Sequence, residues 1–327
     1  MLLTVHQNLP QRNLRGVILV LRWGLMLSTD DLRFFTVVAT SPSLAAAART
    51  LDVTPSAITQ RLQQIERRLD LRLVNRTARQ LQLTDEGQLL VESAQRIIED
   101  VEQLEAELAA RRGVVAGQLR VLAPLGFGRR YVAPVAARFR QMHPSVSLTL
   151  HLSDKPARDS DKPWDILIHI GEIHDSSLIA QRVAPNERML CAAPGYLAKR
   201  GHPRTPQDLA SHDCIALREN EEDVTLLRFT HIRGERTATV RIKPVISSND
   251  GDVVRSWGLA GLGVIVRSEW DVADNIRAGD LIRILPDWRL PAADVLMLLG
   301  SRNGRTAKIR HFVDLFKADM KRIPWRV

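Results

Sequence analysis

Apolar residues recur at intervals of three or four between residues 54 and 69, a spacing that predicts an amphipathic helix with one buried face. Thr54 can cap the first turn of this helix, and Pro55 suits the first helical position because no backbone N–H is needed there. The opposite face carries short polar side chains near its start and arginines beyond them, which suits entry into a DNA major groove. The apolar face consists of Ala57, Ile58, Leu62, Ile65 and Leu69.

The segments on either side of this helix predict a winged helix-turn-helix. An amphipathic pattern over residues 32–39 indicates a first helix, and a run of small residues over 44–51 indicates a short second helix. Residues 52–53 then form a tight turn into the long helix, so that the second helix of the pair would enter the groove. Two short apolar segments, 73–76 and 81–83, predict the strands of a wing.

Six short stretches of the chain resemble the LysR-type transcriptional regulators, and the resemblance extends from about Asp30 to the C-terminus. It implies an N-terminal all-α winged helix-turn-helix with a long linker helix, followed by an α/β two-lobed effector domain of the periplasmic-binding-protein type. It also implies a sequence-specific regulator whose DNA binding or bending responds to a small-molecule effector. The matching stretches are residues 31–35, 43–49, 53–57, 62–66, 71–76 and 83–87.

The arginines of the first domain are concentrated where DNA contact is expected. Residues 29–83 hold eight arginines against five acidic residues, and no lysine occurs before Lys155. A guanidinium can grip phosphate or guanine with two hydrogen bonds, although a preference for arginine codons would explain the bias equally well. A double-stranded DNA operator is therefore the expected partner of this domain. The expected DNA-contacting residues are Thr54, Pro55, Ser56, Thr59, Gln60, Arg61, Gln63, Arg67, Arg76, Thr77 and Arg79.

A further apolar pattern, over residues 84–112, alternates steps of four and three and predicts a linker helix with a coiled-coil seam. A groove-reading helix normally works as one of a pair, so the seam is expected to hold two copies together as a homodimer. The alternative is a helix that packs onto its own chain. The family resemblance further implies a dimer of dimers, a homotetramer. The seam residues are Leu90, Ala94, Ile97, Val101, Leu104 and Leu108.

Predicted strands and helices alternate from residue 117 to residue 327, which indicates an α/β domain built on mainly parallel sheets. Ligands of such sheets bind beyond the carboxyl ends of the strands. The resemblance implies two lobes, the first made from about 117–189 and 294–327 and the second from 190–293. The effector is expected in the cleft between them.

Three glycine-containing loops are expected to line that cleft, because glycines let a ligand approach free backbone amides. Each glycine could equally mark a turn and nothing more. Leu125 and Gly126 stand where many relatives place Ser or Thr, which removes the hydroxyl that would contact an effector there. The net charge of +8 over residues 113–327 mildly favours an anionic effector. The expected effector-contacting residues are Leu125, Gly126, Phe127, His169, Ile170, Asn249, Asp250, Gly261 and Gly263.

Other features of the sequence indicate a cytoplasmic protein that is not an enzyme. Its 327 residues, 45% of them apolar, suffice for two or three domains, and the formal net charge of +9 suggests an anionic partner. Cys191 and Cys214 lie in apolar segments and are expected to be buried thiols rather than a redox switch. The spacing of His169, Glu172 and His174 fits no common zinc site, and no nucleophile elbow or phosphate-binding loop occurs. No catalytic residue, metal or cofactor is therefore expected.

The first 28 residues precede the stretches that resemble the family. Residues 14–27 are largely apolar but contain Arg15 and Arg22, and they are shorter than the roughly 20 residues of a membrane span. We expect translation to start at Met26 and no membrane partner; the alternative is a disordered or membrane-associating extension. The competing function is a small-molecule-binding or membrane-associated sensor module without an operator-specific role. Such a module would not need the basic winged helix-turn-helix.

Overall fold

The computed structural model of the chain describes residues 27–75, 81–155, 164–173, 179–219, 224–234, 236–299 and 306–326. The chain divides between Leu104 and Glu105 into two compact units. Across the ranges described, no helix combines the length and the apolar character that a membrane crossing requires. Residues 14–26 of the apolar N-terminal segment lie outside these ranges.

Helices and a two-stranded wing form the first unit, and a long linker helix follows. The elements are α1 (Thr29–Thr40), α2 (Leu44–Thr50), α3 (Pro55–Leu69), β1 (Val74–Asn75), β2 (Gln82–Leu83) and α4 (Asp85–Arg111). Ser28 and Asp31 start α1 with a capping box, in which each side chain accepts a hydrogen bond from the other residue's backbone N–H at 3.2 Å. Ser43 caps α2 by accepting from Ala46 N at 3.2 Å.

The helices of the first unit share one apolar core, as the sequence pattern predicts. Ile58, Leu62 and Ile65 of α3 are buried in it. Ala47 and Ala48 of α2 are buried there too, and their small side chains let α2 and α3 approach closely. The remaining buried members of this core are Phe34, Phe35, Val38, Leu73, Val74 and Val91. The helix-turn-helix expected from the sequence is therefore confirmed.

A close backbone approach joins the wing to the linker helix α4. Thr84 Oγ1 donates to Arg72 O at 2.6 Å and accepts from Gly87 N at 3.1 Å, so Thr84 caps α4 while it holds the segment before the wing. Gly87 lies so near Leu73 that a Cβ atom at position 87 would stand 2.1 Å from Leu73 O. Only glycine therefore fits at the third position of α4 without a backbone shift.

Two five-stranded sheets and one three-stranded sheet form the second unit. Its strands are β3 (Gly117–Pro124), β4 (Val146–Ser153), β5 (Ile166–Ile170), β6 (Ile179–Ala184), β7 (Arg188–Ala192), β8 (Cys214–Leu217), β9 (Leu226–His231), β10 (Thr237–Arg241), β11 (Pro244–Ser248), β12 (Val264–Ser268), β13 (Ile282–Ile284), β14 (Trp288–Arg289) and β15 (Val295–Leu299). Its helices are α5 (Leu125–Phe127), α6 (Ala133–Met142), α7 (Pro194–Arg200), α8 (Gly251–Leu259), α9 (Glu269–Ala278) and α10 (Ala307–Met320), with a π-helical turn at Gly128–Val132 and a 3₁₀ turn at Pro206–Ser211.

Both large sheets are mixed, which corrects the expectation of mainly parallel sheets. In the first sheet, ordered β4-β3-β5-β15-β6, β3 runs parallel to its neighbours and β15 runs antiparallel to both of its neighbours. In the second, ordered β11-β8-β12-β7-β13, β8 has parallel neighbours and β7 antiparallel ones. The chain reaches β7 and β15 from a different sheet, so no helical crossover orients them parallel to their neighbours.

Each large sheet forms one lobe, and the chain crosses between the lobes twice. The crossings lie between β6 and β7, at residues 185–187, and between β14 and β15, at residues 290–294. Strand β7 thus belongs wholly to the second lobe, although its first two residues were expected in the first. The core of the first lobe is aromatic and includes Phe127, Phe139, Phe312, Phe316 and Trp325.

Substitution of Gly87 by alanine tests the contact between wing and linker helix. The added Cβ atom must push Leu73 O away, and we expect a loss of about 1–3 kcal/mol of stability, more than the about 1 kcal/mol that alanine gains over glycine in a helix. Gly195→Ala is the matched control, because a Cβ atom there meets open space within α7. Urea unfolding of both full-length variants measures the difference. A Gly87→Ala protein as stable as the wild type would contradict the close approach.

Candidate nucleic-acid interface and ligand cavity

Helix α3 exposes a polar face whose hydroxyl groups are bound within the helix itself. Thr54 Oγ1 accepts from Ala57 N at 3.3 Å and lies 3.0 Å from Ser56 Oγ, and Thr59 Oγ1 donates to Pro55 O at 3.0 Å. These contacts fix the rotamers of the short side chains at the start of the helix. Thr54, Pro55, Ser56, Gln60 and Arg67 are exposed, and Thr59 and Gln63 are half-buried.

Gln60 is the residue of this face best suited to read a base. Its side chain is exposed, and no hydrogen bond ties that side chain to any part of the chain that the structure describes. A carboxamide without a partner can donate to N7 of adenine and accept from its N6 amino group at the same time, which is the bidentate recognition of that base. Arg67 lies two turns further along, with its Nε donating to Gln63 O at 3.2 Å and the rest of its guanidinium exposed.

Arg61 is held by its own domain rather than by the polar face. Its Nη2 donates to Asp30 O at 3.1 Å and lies 3.5 Å from Asp31 Oδ1, and its guanidinium carbon stands 4.7 Å from the centre of the Phe34 ring. These contacts tie α3 to the start of α1. Only Nη2 is used in these hydrogen bonds and the side chain is 44% exposed, so contact between Arg61 and DNA stays a prediction.

Asp31 is a structural carboxylate that the sequence analysis did not single out. Its Oδ2 accepts from Arg68 Nη2 at 2.7 Å, in addition to its role in the capping box with Ser28. Burial by itself would raise the pKa of Asp31, but the hydrogen bonds from Arg68 and Ser28 hold that pKa below its usual value. The charged carboxylate thus fixes α1 against α3. The spacing of Ser28 and Asp31 is the sequence signal of this cap.

The wing is described only at its base, where β1 and β2 pair antiparallel. Glu66, near the end of α3, is buried, and its Oε1 accepts from Leu73 N at 3.0 Å. This bond fixes the start of the wing relative to α3. Three of the expected DNA contacts, Arg76, Thr77 and Arg79, lie outside the described residues.

The apolar seam of α4 has two parts that differ in exposure. Leu90 packs against the core of the first unit, and Ala94 is fully buried, so this part of the seam is covered within its own chain. Val101 is half-buried. The remaining seam residues are Ile97, Leu104 and Leu108, which are 45%, 56% and 55% exposed. The second half of the helix therefore presents an apolar stripe.

A cavity of about 180 Å³ lies between the two lobes. Its walls include Pro124 and Ile170, the last residues of β3 and β5 in the first lobe. They also include Leu217 and Ser268, the last residues of β8 and β12 in the second lobe. Carboxyl ends of strands from both lobes thus meet at this cavity, the place where α/β sheets bind ligands.

Two arginines bring positive charge to the cavity wall. Arg188 is the register partner of Ser268 across the antiparallel pair of β7 and β12, and its guanidinium lies beside Gly171 of the first lobe. Within the described ranges, the Arg188 side chain has no hydrogen-bond or ion-pair partner. Arg267 is only 5% exposed, and its terminal nitrogens pack against Gly251 at the start of α8.

Among the residues that the structure describes, Arg267 is anchored through its Nε. Its Nε donates to Asp271 Oδ2 at 2.7 Å, and Asp271 also accepts from Arg255 Nη1 at 2.5 Å. Arg255 in turn lies 3.1 Å from Asp252 Oδ1. The two Nη groups of Arg267 find no acceptor in the part of the chain that the structure covers, which leaves them available to a ligand.

Of the residues in the first loop and in β5 that were expected to contact an effector, some line the cavity and others do not. Gly126, His169 and Ile170 line the cavity. Phe127 does not, because it faces the core of the first lobe, where its ring centroid lies 5.0 Å from that of Tyr131. The segment begins a helix directly after β3, so residue 127 turns inward. Leu125 is half-buried and is not among the residues of the cavity wall.

Asn249 and Asp250 join the two lobes instead of lining the cavity. Asn249 Nδ2 donates to Asp154 Oδ2 of the first lobe at 2.7 Å. Asp250 accepts from Arg129 Nη2 of the first lobe at 3.2 Å and also caps α8 through the backbone N–H of Asp252. Their neighbour Gly251 lines the cavity. Both residues are thus placed to affect lobe orientation.

Gly261 and Gly263 lie at the opposite end of β12 from the cavity. They form the turn between α8 and β12, where Gly261 has a φ of +76°. A Cβ atom at position 263 would stand 2.3 Å from Asp213 O. Both glycines are needed for this turn and for close packing, and neither belongs to the cavity wall.

Both cysteines are free and buried, as expected from their apolar surroundings. Burial raises the pKa of Cys191 to about 12 and the pKa of Cys214 to about 11. Thiols with such pKa values stay protonated near neutral pH and react slowly with oxidants. These positions therefore have the character of structural thiols.

A winged helix-turn-helix followed by a linker helix and a two-lobed domain with a cavity defines a DNA-binding regulator of the ligand-responsive class. The family model "LysR substrate binding domain" matches residues 112–321, and the model "Bacterial regulatory helix-turn-helix protein, lysR family" matches residues 29–88. The chain belongs to the LysR family and is a transcriptional regulator that binds DNA through its N-terminal domain.

Individual relatives agree with this assignment. The chain is similar to the HTH-type transcriptional regulator DmlR of Escherichia coli strain K12, with 34% identity that covers 88% of this chain and 93% of DmlR. It is also similar to the HTH-type transcriptional activator TtdR of the same strain, with 32% identity over 88% and 92% of the two chains. The structure of CrgA, a LysR-type transcriptional regulator from Neisseria meningitidis, matches with a TM-score of 0.55 and 28% identity, over 90% of this chain and 99% of CrgA.

Alanine substitutions at Gln60 and Arg67 separate base reading from phosphate binding. Gln60→Ala should relax the preference at one base pair by about 1–3 kcal/mol, because the carboxamide reads a base edge. Arg67→Ala should weaken binding to all sequences about equally. It should also reduce the slope of log binding constant against log salt concentration by about one, the contribution of one phosphate contact. Binding constants for the operator, its single-base variants and random DNA at several salt concentrations measure both effects. Equal losses on operator and random DNA for Gln60→Ala would contradict the assigned face.

Proposed function

We propose that this LysR-type regulator controls transcription as a homodimer whose operator affinity, or bending of operator DNA, responds to a small anionic effector held between its lobes. The observation that carries the proposal is the cavity between the lobes and its two arginines. The polar face of α3 and the wing, including Arg76 and Arg79, are the proposed DNA contacts. Such a protein acts where the chromosome is, and we therefore place it in the cytoplasm.

The arginines of the cavity favour an anionic ligand. The Nη groups of Arg267 have no acceptor among the described residues and are not fully buried, so they are open to the cavity, where an anion would accept from them. A carboxylate accepts two such bonds at once with good geometry. The N-terminus of α8 at Gly251 adds partial positive charge on the same side of the cavity.

A ligand in this cavity would contact both lobes and therefore bias their relative orientation. Gly126 and His169 come from the first lobe, whereas Arg267 and Ser268 come from the second. Only a difference in affinity between two lobe orientations changes the population of each. We propose that the effector binds one lobe orientation more tightly than the other and so shifts the operator-bound protein toward that orientation.

Dimerisation is proposed to use the exposed half of the α4 seam. Ile97, Leu104 and Leu108 recur on one stripe of the helix and expose apolar surface in the single chain. Burial of this stripe against the same stripe of a second copy would remove it from water. A further association of two dimers, as the family resemblance implies, is part of the proposal.

The effector site is tested with Arg188→Gln. Compounds are first screened for a response of the native promoter fused to a reporter, and an active compound is then applied to the variant. We expect the response to fall at least about tenfold, because a charged hydrogen bond to the ligand is lost, while operator affinity without effector stays unchanged. Arg204→Gln, an exposed arginine outside the cavity wall, should respond like the wild type. A normal response of Arg188→Gln would place the effector elsewhere.

The dimer interface is tested with Leu104→Lys. A lysine in the seam would have to be desolvated on pairing, so sedimentation should show dimer dissociation at concentrations at least about tenfold higher than for the wild type. Leu89→Lys is the matched control, since Leu89 is 65% exposed on the same helix but lies off the seam. An unchanged dimer mass for Leu104→Lys would refute pairing through this stripe.

A further inference from the structure

The cavity has a second wall that differs in chemistry from the arginine side. This wall is aliphatic and comes from the start of β9 and the residue that leads into it, and from the residue that follows β10. The two parts are held together by a hydrogen bond from Ile242 N to Thr225 O at 2.8 Å. We name this surface the aliphatic wall. Its residues are Val224, Leu226, Leu227 and Ile242.

The aliphatic wall is incompletely covered by the protein itself. Ile242 is buried, but Val224, Leu226 and Leu227 are only half-buried. All three line the cavity, where contact with an apolar group would remove further apolar surface from water. A ligand that bears a charge and nothing else would leave this surface hydrated. The wall therefore favours a ligand with an apolar body.

Glu219 adds a constraint on the number of charges that the ligand can carry. It lines the cavity and also has an interaction partner of its own. A second carboxylate on the ligand would meet either this negative charge or the aliphatic wall, and both are unfavourable surroundings for an anion. Arg188 pairs with Ser268 and Arg267 pairs with Met189 across β7 and β12, so the two arginine side chains leave opposite faces of the sheet and each meets the ligand separately.

We infer that the effector is an organic acid with one carboxylate and an apolar body, bound with the carboxylate at Arg188 and the body against the aliphatic wall. The inference rests on the proposed function and names the chemical class of its ligand. It assigns a role in specificity to Val224, Leu226, Leu227 and Ile242, which the glycine-based expectations from the sequence did not include.

Three small probes separate the contributions of charge and apolar body. Phenylacetate carries both, phenylacetamide keeps the shape without the charge, and glutarate carries two carboxylates without a comparable apolar body. Calorimetric titration of the full-length protein should give a dissociation constant for phenylacetate at least about tenfold below those of the other two. This comparison uses only the wild-type protein, so it does not depend on the folding of any variant.

Two variants then locate the two ends of the bound acid. Arg188→Gln should bring the dissociation constant of phenylacetate to within about threefold of that of phenylacetamide, because the charged partner is gone. Val224→Thr replaces a methyl group of the aliphatic wall by a hydroxyl at constant shape and should weaken phenylacetate binding about threefold. Val245→Thr is the matched control on β11, where the valine is 59% exposed and outside the cavity wall.

The results distinguish failure of this inference from failure of the proposed function. Equal binding of phenylacetate and phenylacetamide, tighter binding of glutarate, or no binding of phenylacetate at millimolar concentration would each overturn the inference. If the reporter still responds to some other compound and Arg188→Gln removes that response, the proposed function stands without it. If no compound acts through the cavity, the proposed function fails as well.

Discussion

The ligand-binding half of the molecule depends on one buried carboxylate, that of Asp271. Its side chain is 1% exposed, and a charge so buried is stable only with close partners, which Arg255 and Arg267 supply at 2.5 Å and 2.7 Å. Arg255 also pairs with Asp252 at 3.1 Å, and Asp252 in turn pairs with Arg129 of the first lobe at 2.8 Å. The ion pairs thus connect the cavity to the contact between the lobes. An anion bound at the Nη groups of Arg267 would lie at one end of this series of ion pairs, whose other end is the contact between the lobes.

The DNA-binding unit also contains a buried carboxylate paired with arginines, and there the ion pairs fix two helices against each other. Asp31 is buried at the start of α1 and pairs with Arg68 of α3, and Arg61 supports the same corner. Two of the arginines of α3 are therefore used to fix the helix in its domain. Among the described residues, the polar face around Gln60 makes no such ion pair, so its side chains stay available to read bases.

The features that the sequence predicted are those set by neighbours along the chain. The cap at Thr54 and the buried positions Ile58, Leu62 and Ile65 of α3 follow from local spacing, and the structure has them, whereas Ala57 of the predicted apolar face is exposed. The cavity was harder to predict, because it depends on which strand ends meet in space. Gly126 reaches the cavity, whereas Gly263 lies at the far end of its strand, although both looked alike in the sequence. Likewise, nothing in the spacing of the many arginines marked the two that line the cavity.

Hydrogen exchange measured by mass spectrometry tests whether an effector binds in the cavity between the lobes. The full-length protein is compared with and without a compound that changes its reporter activity. When the compound binds, we expect slower exchange in the segments that line the cavity and no comparable slowing in α7. The cavity-lining segments are residues 124–126, 215–219, 224–227 and 266–270. Slower exchange confined to segments outside the cavity wall would show that the effector acts from another site.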